Sequence, residues 1–214
     1  MKDRKPYEVV YEDKDVLVVY KKRDVLTVKT EDPKTFHHNL YYYLKKDEAK
    51  KGEQLSVLHR LDYETSGLIV FPKSDRVHSC LQMAFGKRTV IREYEAVVKE
   101  EIPLWEEYEV HQLLSGTRNI VSGEEGKEAI TSFTATNRIG IGTALKISIK
   151  TGRKNQIRIS LHDSGLTLLG DRRYSKSEAK RMYLNHYRIV FPEECGLKKR
   201  EFSVPPLWME EQGH

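Results

Sequence analysis

A chain of 214 residues, 38% hydrophobic and 32% charged, is long enough to bury a real core and charged enough to keep a solvated surface. Its net charge of +5 and pI near 9.0 suit a polyanionic partner without requiring one. Two distant cysteines, Cys80 and Cys195, and no CxxC spacing argue against a disulfide scaffold or a zinc site; MKDRKPYEVV holds no apolar signal-peptide core, and no apolar run approaches membrane-spanning length. The expectation is a soluble, cytoplasmic, monomeric protein.

Two β-rich runs, Tyr7 to Tyr11 and Val16 to Tyr20, flank the polar turn Glu12-Asp13-Lys14-Asp15 and predict a hairpin. DPKTFHHNLYYYLKK predicts a helix: Asp32 caps it, Pro33 opens it, Phe36, Leu40, Tyr43 and Leu44 share a face, and lysines and Gly52 end it. A strand is predicted near Leu68 to Phe71, followed by a short helix capped by Ser74, running through Val77, Leu81 and Phe85 and stopping at Gly86. Val90 to Glu100 alternates as a strand does, with Tyr94, Ala96 and Val98 on one face.

Residues 101–126 read as irregular and as the best candidate for an insertion. Strands are predicted again at Ala129 to Thr136 and at Ala144 to Lys150, where Leu145, Ile147 and Ile149 point one way. RKNQIRISLHDSG predicts a short helix ending at Gly165, and MYLNHYRIVF a last long strand. Strands outnumber helices without strict β-α alternation. That pattern predicts an α+β fold: one domain over residues 1–214, with a mixed, mostly antiparallel sheet flanked by helices and loops.

Two stretches carry candidate chemistry. In VLHRLDYETSGLIVF, apolar runs close tightly around His59, Arg60, Asp62, Glu64, Thr65, Ser66 and Gly67. An isolated aspartate in such a loop is ordinarily a cap. If Asp62 is buried, a cation or several donors must accompany it, because an uncompensated carboxylate among apolar neighbours is costly. In TGRKNQIRIS, Arg153 and Arg158 stand at the start of a helix, and Arg158 flanks its apolar face. There an arginine can reach a buried acid with two parallel hydrogen bonds. Basic runs at Lys21-Lys22-Arg23, Lys50-Lys51, Arg172-Arg173 and Lys198-Lys199-Arg200 could track an RNA backbone, although each alone is more often a solvated turn. The histidines, His37-His38 included, form no metal-ligand spacing.

HRLDYETSGLIVFPKS, Lys73 included, resembles the HRLDxxTSGxxxxxK motif of the RluA-type pseudouridine synthases. TGRKNQIRISLHDSGLTLLGDRRY resembles that family's TGRxHQIRxHxxxxGxPxxGDxxY. REYEAVV, GKEAIT with Lys127, and the opening YEDKDVLVVYKK resemble its xxYxAxV strand, its GKxAxT and its first hairpin. The likeness runs in order from about Tyr7 to Pro205.

The resemblance implies the pseudouridine synthase catalytic fold and the isomerisation of a uridine in tRNA or rRNA, without a cofactor or metal. It implies Asp62 as the catalytic carboxylate, Arg158 as its arginine partner, and Tyr94 as the tyrosine that stacks on the target base. An unperturbed phenol ionises near pH 10, so packing is the more natural role for Tyr94. Arg60 is implied to replace or contact the extruded nucleotide, since a stacked uracil must be flipped out to be reached. His59, Thr65, Ser66, Gly67, Arg153, Asn155 and Gln156 are implied around the substrate.

The chain departs from the family at Asn155 and Ser160, where histidine is usual, at Lys21-Lys22 for Lys-Pro, at Thr167 for proline, and at Leu184-Asn185-His186 for Leu-His-Ala. No separate N-terminal RNA-binding domain is expected, so the catalytic part itself would recognise a compact stem-loop. Two other readings stand beside this one. The first is a non-catalytic RNA-binding or RNA-folding module that keeps the fold. The second is a hydrolase that releases the base.

Overall fold

The computed structural model describes residues 5–49, 54–116 and 120–205. In chain order come β1 (Tyr7–Glu12), β2 (Val16–Lys21), α1 (Leu40–Ala49), β3 (Ser66–Pro72), α2 (Asp75–Gly86), β4 (Ile91–Val98) and β5 (Glu107–Ser115). Then follow β6 (Val121–Gly123), β7 (Lys127–Ile139), β8 (Gly142–Ile149), α3 (Gln156–Asp163), β9 (Leu184–Val190) and β10 (Glu201–Ser203). The described residues form two compact units: those within 5–90 together with 188–204, and those within 91–187 together with 205.

In the first unit, β1 pairs antiparallel with β2 and β2 with β3, while Arg188 to Val190 at the end of β9 pair with β10. Both faces of β2 and β3 are buried, so their runs VLVV and LIVF are continuously apolar rather than alternating. Val16, Val18, Leu68 and Val70 pack with Val77, Leu81 and Ala84 of α2 and with Ile189, Phe191 and Phe202. Ser74 caps α2 by accepting from Val77 N–H, as its position before the apolar periodicity suggests.

The predicted helix from Asp32 is corrected. Asp32 does cap a turn, but only the 3-10 turn Pro33–Thr35, and α1 begins at Leu40. Asn39 makes the break. Its side-chain oxygen accepts from Tyr42 N–H at 2.9 Å, while its amide donates to the carbonyls of Thr35 at 2.8 Å and Phe36 at 3.2 Å. That starts a fresh helix and leaves Phe36 exposed, outside the apolar face assigned to it. Gly52 and the Lys50-Lys51 run lie outside the described residues.

The second unit is an antiparallel sheet in the order β4-β8-β7-β5-β6. Residues 101–126 are therefore not an irregular insertion: β5 pairs along its length with β7, and β6 extends the edge. β5 is exposed at alternate positions, so its polar residues hid an ordinary strand alternation. Ala96, Ala135, Leu145 and Ile147 lie in the interior, as do Ile157 and Leu161 of α3. Every ladder described within the two units is antiparallel, and the whole is α+β. Among the described residues no helix is long and apolar enough to cross a membrane.

Candidate functional site

Asp62 lies in the extended segment leading into β3 and is half-buried. Its neighbours on both sides are held by backbone contacts. Thr27 Oγ1 donates to Leu61 O at 2.8 Å and accepts from Leu61 N–H at 3.1 Å. On the other side, Tyr63 O accepts from Val25 N–H at 3.2 Å and from Lys21 Nζ at 3.2 Å. Thr65 N–H donates to the Asp62 carbonyl at 3.3 Å and closes the turn. The chain therefore has little freedom to rotate the carboxylate by backbone motion.

Lys21 stands in a basic run expected at the surface, but folding buries it. It is the last residue of β2, pairs with Gly67, and has 0% exposure. Its ammonium spends its three protons on Lys22 O at 3.0 Å, Val25 O at 2.7 Å and Tyr63 O at 3.2 Å. Burial pushes its pKa down to about 7, against the opposing pull of the negative charge of Asp62 and, further, Asp24 and Glu64.

The folded pKa of Lys21 lies below the unfolded one, so between about pH 7 and 10.5 the unfolded chain binds the extra proton and stability rises with pH. Urea unfolding should show a gain on the order of 4 kcal/mol or less across that window in wild type. The gain should be flattened in Lys21→Met. Equal slopes in the two proteins would refute the buried ammonium.

The other motif residues of this unit support the loop. The Nε2 of His59 accepts from Val70 N–H at 3.1 Å, and its ring stacks on Phe85 at 5.3 Å. His59 thus braces the loop against β3. Thr65 and Ser66 are buried, and Gly67 adopts φ of 127°, a region that disfavours side chains. Arg60 is exposed. Lys73 is mostly buried and bonds Glu12 at 2.6 Å, which ties β1 to the end of β3.

In the second unit, Tyr94 lies on β4 and stacks on His186 at 4.5 Å, 21° between planes. Arg158 lies on α3, almost wholly buried. It makes the two parallel hydrogen bonds expected of it with Asp171, Nε to Oδ2 at 2.9 Å and Nη2 to Oδ1 at 2.7 Å. Asp171 is a partner of Arg158 that the motif resemblance does not single out. Burial works against an ionised Asp171, but hydrogen bonds and charge from Arg158, with the N–H groups of Tyr174 and Arg173, hold its pKa below the ordinary value. Gly170 places Asp171: at φ 77° it sits against the Arg181 carbonyl, where a Cβ would collide.

Two further motif residues are bonded within the fold. The Oε1 of Gln156 accepts from Thr151 Oγ1 at 2.8 Å and Arg153 N–H at 3.0 Å. Its amide donates to Ile130 O and Thr131 Oγ1, both at 3.0 Å. All its polar capacity goes into bracing the TGR turn against β7. Asn155 is buried in a left-handed conformation, φ 57°; it donates to Tyr174 Oη at 2.9 Å and accepts from Arg158 at 3.3 Å. It thereby supports the arginine. Arg153 is half-buried and donates to Glu128 O at 3.0 Å.

The departures are accommodated locally. Ser160 bridges Thr131 Oγ1 at 3.0 Å and Gln112 Oε1 at 2.7 Å. Thr167 uses the N–H that a proline would lack, donating to Glu100 at 2.7 Å.

Comparison with known proteins matches residues 15–163 to the family described as RNA pseudouridylate synthase. An uncharacterized RNA pseudouridine synthase of Helicobacter pylori is 35% identical over 156 residues, 70% of this chain and 64% of that protein. Ribosomal large subunit pseudouridine synthase D of Zymomonas mobilis is 29% identical over 181 residues, 81% of this chain and 57% of that protein. The chain thus spans less than two thirds of the length of either relative. The solved structure of human RNA Pseudouridylate Synthase Domain Containing 1 overlays with a TM-score of 0.76 at 19% identity, covering 97% of this chain and 86% of that one, a likeness of fold.

Proposed function

Since this chain belongs to the RluA-type family of RNA pseudouridylate synthases, we propose that it isomerises a specific uridine in structured RNA to pseudouridine. In this reading Asp62 is the catalytic residue. The glycosidic bond from ribose C1′ to N1 breaks, the uracil turns, a bond forms from C1′ to C5, the C5 proton leaves to water, and N1 takes up a proton from water in its place. Asp62 acts ionised at the sugar, by attack on the anomeric carbon or removal of a sugar proton. Arg60, exposed two positions before it, fills or lines the gap left by the flipped nucleotide. Tyr94 presents a ring for base stacking, and Arg158 carries the charge support its motif implies.

The observation that carries the reading is the two-sided clamp on the HRLD loop. Thr27 fixes the residue before Asp62, and Lys21 with Val25 fixes the residue after it. Such immobilisation is what a carboxylate needs to meet one sugar atom. The name of the Zymomonas relative favours large-subunit ribosomal RNA over transfer RNA as the target class.

The test uses transcripts labelled with tritium at uracil C5. An isomerase releases label to water and leaves RNA of unchanged mass, faster on large-subunit ribosomal RNA than on transfer RNA. Free uracil with abasic sites would mean a hydrolase, and binding without release a non-catalytic module; either would overturn the proposal.

A further inference from the structure

The connection between β2 and α1 builds a surface that the catalytic reading leaves unused. Phe36, His37 and His38 form an exposed tip just ahead of α1, with Phe36 at 39% exposure. The Nζ of Lys29 lies 4.7 Å from the centre of the Phe36 ring. The His37 ring meets Tyr42 edge-on, 4.8 Å between centres and 68° between planes. The tip is braced: Asn39 bonds the carbonyls of Thr35 and Phe36 from below, and Thr35 and Thr30 bond each other at 3.1 Å.

The tip is also coupled to the loop of Asp62. The first amides of α1, Leu40 and Tyr41, donate to Leu26 O at 2.8 Å and Thr27 O at 3.0 Å. Thr27 is the residue whose hydroxyl grips Leu61. One residue therefore anchors both the start of the aromatic helix and the backbone before the aspartate. Tyr63, directly after Asp62, is itself 47% exposed.

A single exposed ring needs no explanation. Neighbouring rings on a braced turn, with a lysine over one of them, offer faces for stacking and a cation for phosphate, the two features that hold unpaired nucleotides without base-specific contacts. We infer that Lys29, Phe36, His37 and Tyr42 form a stacking platform for unpaired nucleotides flanking the target uridine. The inference rests on the reading of this chain as an enzyme acting on RNA. A protein partner is disfavoured by the lysine and the paired histidines at the tip.

The test measures fluorescence anisotropy with a short single-stranded oligouridylate and an RNA duplex of equal length. Phe36→Ala should weaken oligouridylate binding about tenfold, leave duplex binding unchanged, and be rescued by Phe36→Trp. Lys29→Gln should lower the slope of log affinity against log salt by about 0.7. Wild-type failure to bind oligouridylate, unchanged binding by Phe36→Ala, or equal losses on both probes would overturn the platform.

Tritium release by wild type, run beside these titrations, separates the two ideas. Release with unaltered Phe36→Ala binding sinks the platform alone. A Phe36→Ala loss without release supports the platform and sinks the isomerase reading.

Discussion

Asp62→Asn should abolish turnover, by at least about 10³-fold, while binding RNA within a few-fold of wild type. The amide matches the carboxylate in shape but can neither attack a sugar carbon nor accept a proton from one. The groups that hold the loop do not depend on the substituted atoms. Thr27 grips Leu61 through its main chain, Lys21 and Val25 grip Tyr63 through its carbonyl, and all three survive the change.

One secondary effect is expected. The charge of Asp62 favours protonated Lys21, so its removal lets the buried ammonium lose its proton more readily and carries the Lys21 titration below the wild-type value of about 7. Single-turnover tritium release and filter binding of the same RNA give the two quantities. Release within tenfold of wild type would remove Asp62 from the catalytic role, whatever the fate of the fold.

Arg158→Ala should destabilise the protein by about 3–5 kcal/mol at neutral pH, through Asp171. That carboxylate is wholly buried, and the guanidinium supplies two of its hydrogen bonds and its countercharge. Taking the arginine away leaves a charge that must either stay unpaired or take up a proton.

The pH dependence distinguishes this from simple loss of packing. In wild type the folded pKa of Asp171 is depressed. Its contribution is therefore full above the ordinary carboxylate range and lost only as pH falls through the lowered value. In Arg158→Ala the stranded carboxylate is neutralised as pH falls, so the gap between variant and wild type should narrow from pH 7 toward about 4. Urea midpoints across that range measure it. A gap independent of pH would show that the arginine acts by packing alone. Asp171→Asn, which keeps the shape but not the charge, should also be destabilised, since it takes from buried Arg158 the carboxylate charge it bonds at 2.7 and 2.9 Å.

Much of the architecture can be read from residue order because it depends on neighbours along the chain. Ser74 caps α2 through its own next turn, and Tyr94, Ala96 and Val98 repeat at the pleat of a strand. Misreadings occurred where a local pattern had two solutions. Phe36, Leu40 and Leu44 satisfy a helical spacing, but Asn39 cuts that helix by capping a new one and turns Phe36 outward. β5 looked irregular because half of it faces solvent, and its pairing with β7 joins residues 13 to 27 positions apart.

The chemistry-bearing types of Asp62, Tyr94, Arg158 and Arg60 stand in HRLDYETSG, REYEAVV and TGRKNQIR, and short motifs of that kind are written in sequence. What the order of residues could not disclose is who holds whom. Lys21 reaches Tyr63 across 42 positions, Thr27 reaches Leu61 across 34, and Arg158 grips Asp171 at the far end of its own motif. A lysine in a basic run and an aspartate in a polar loop look solvated until folding removes the water. Once water is excluded, every buried donor and charge must find a partner wherever the chain returns, and only the tertiary structure decides which one that is.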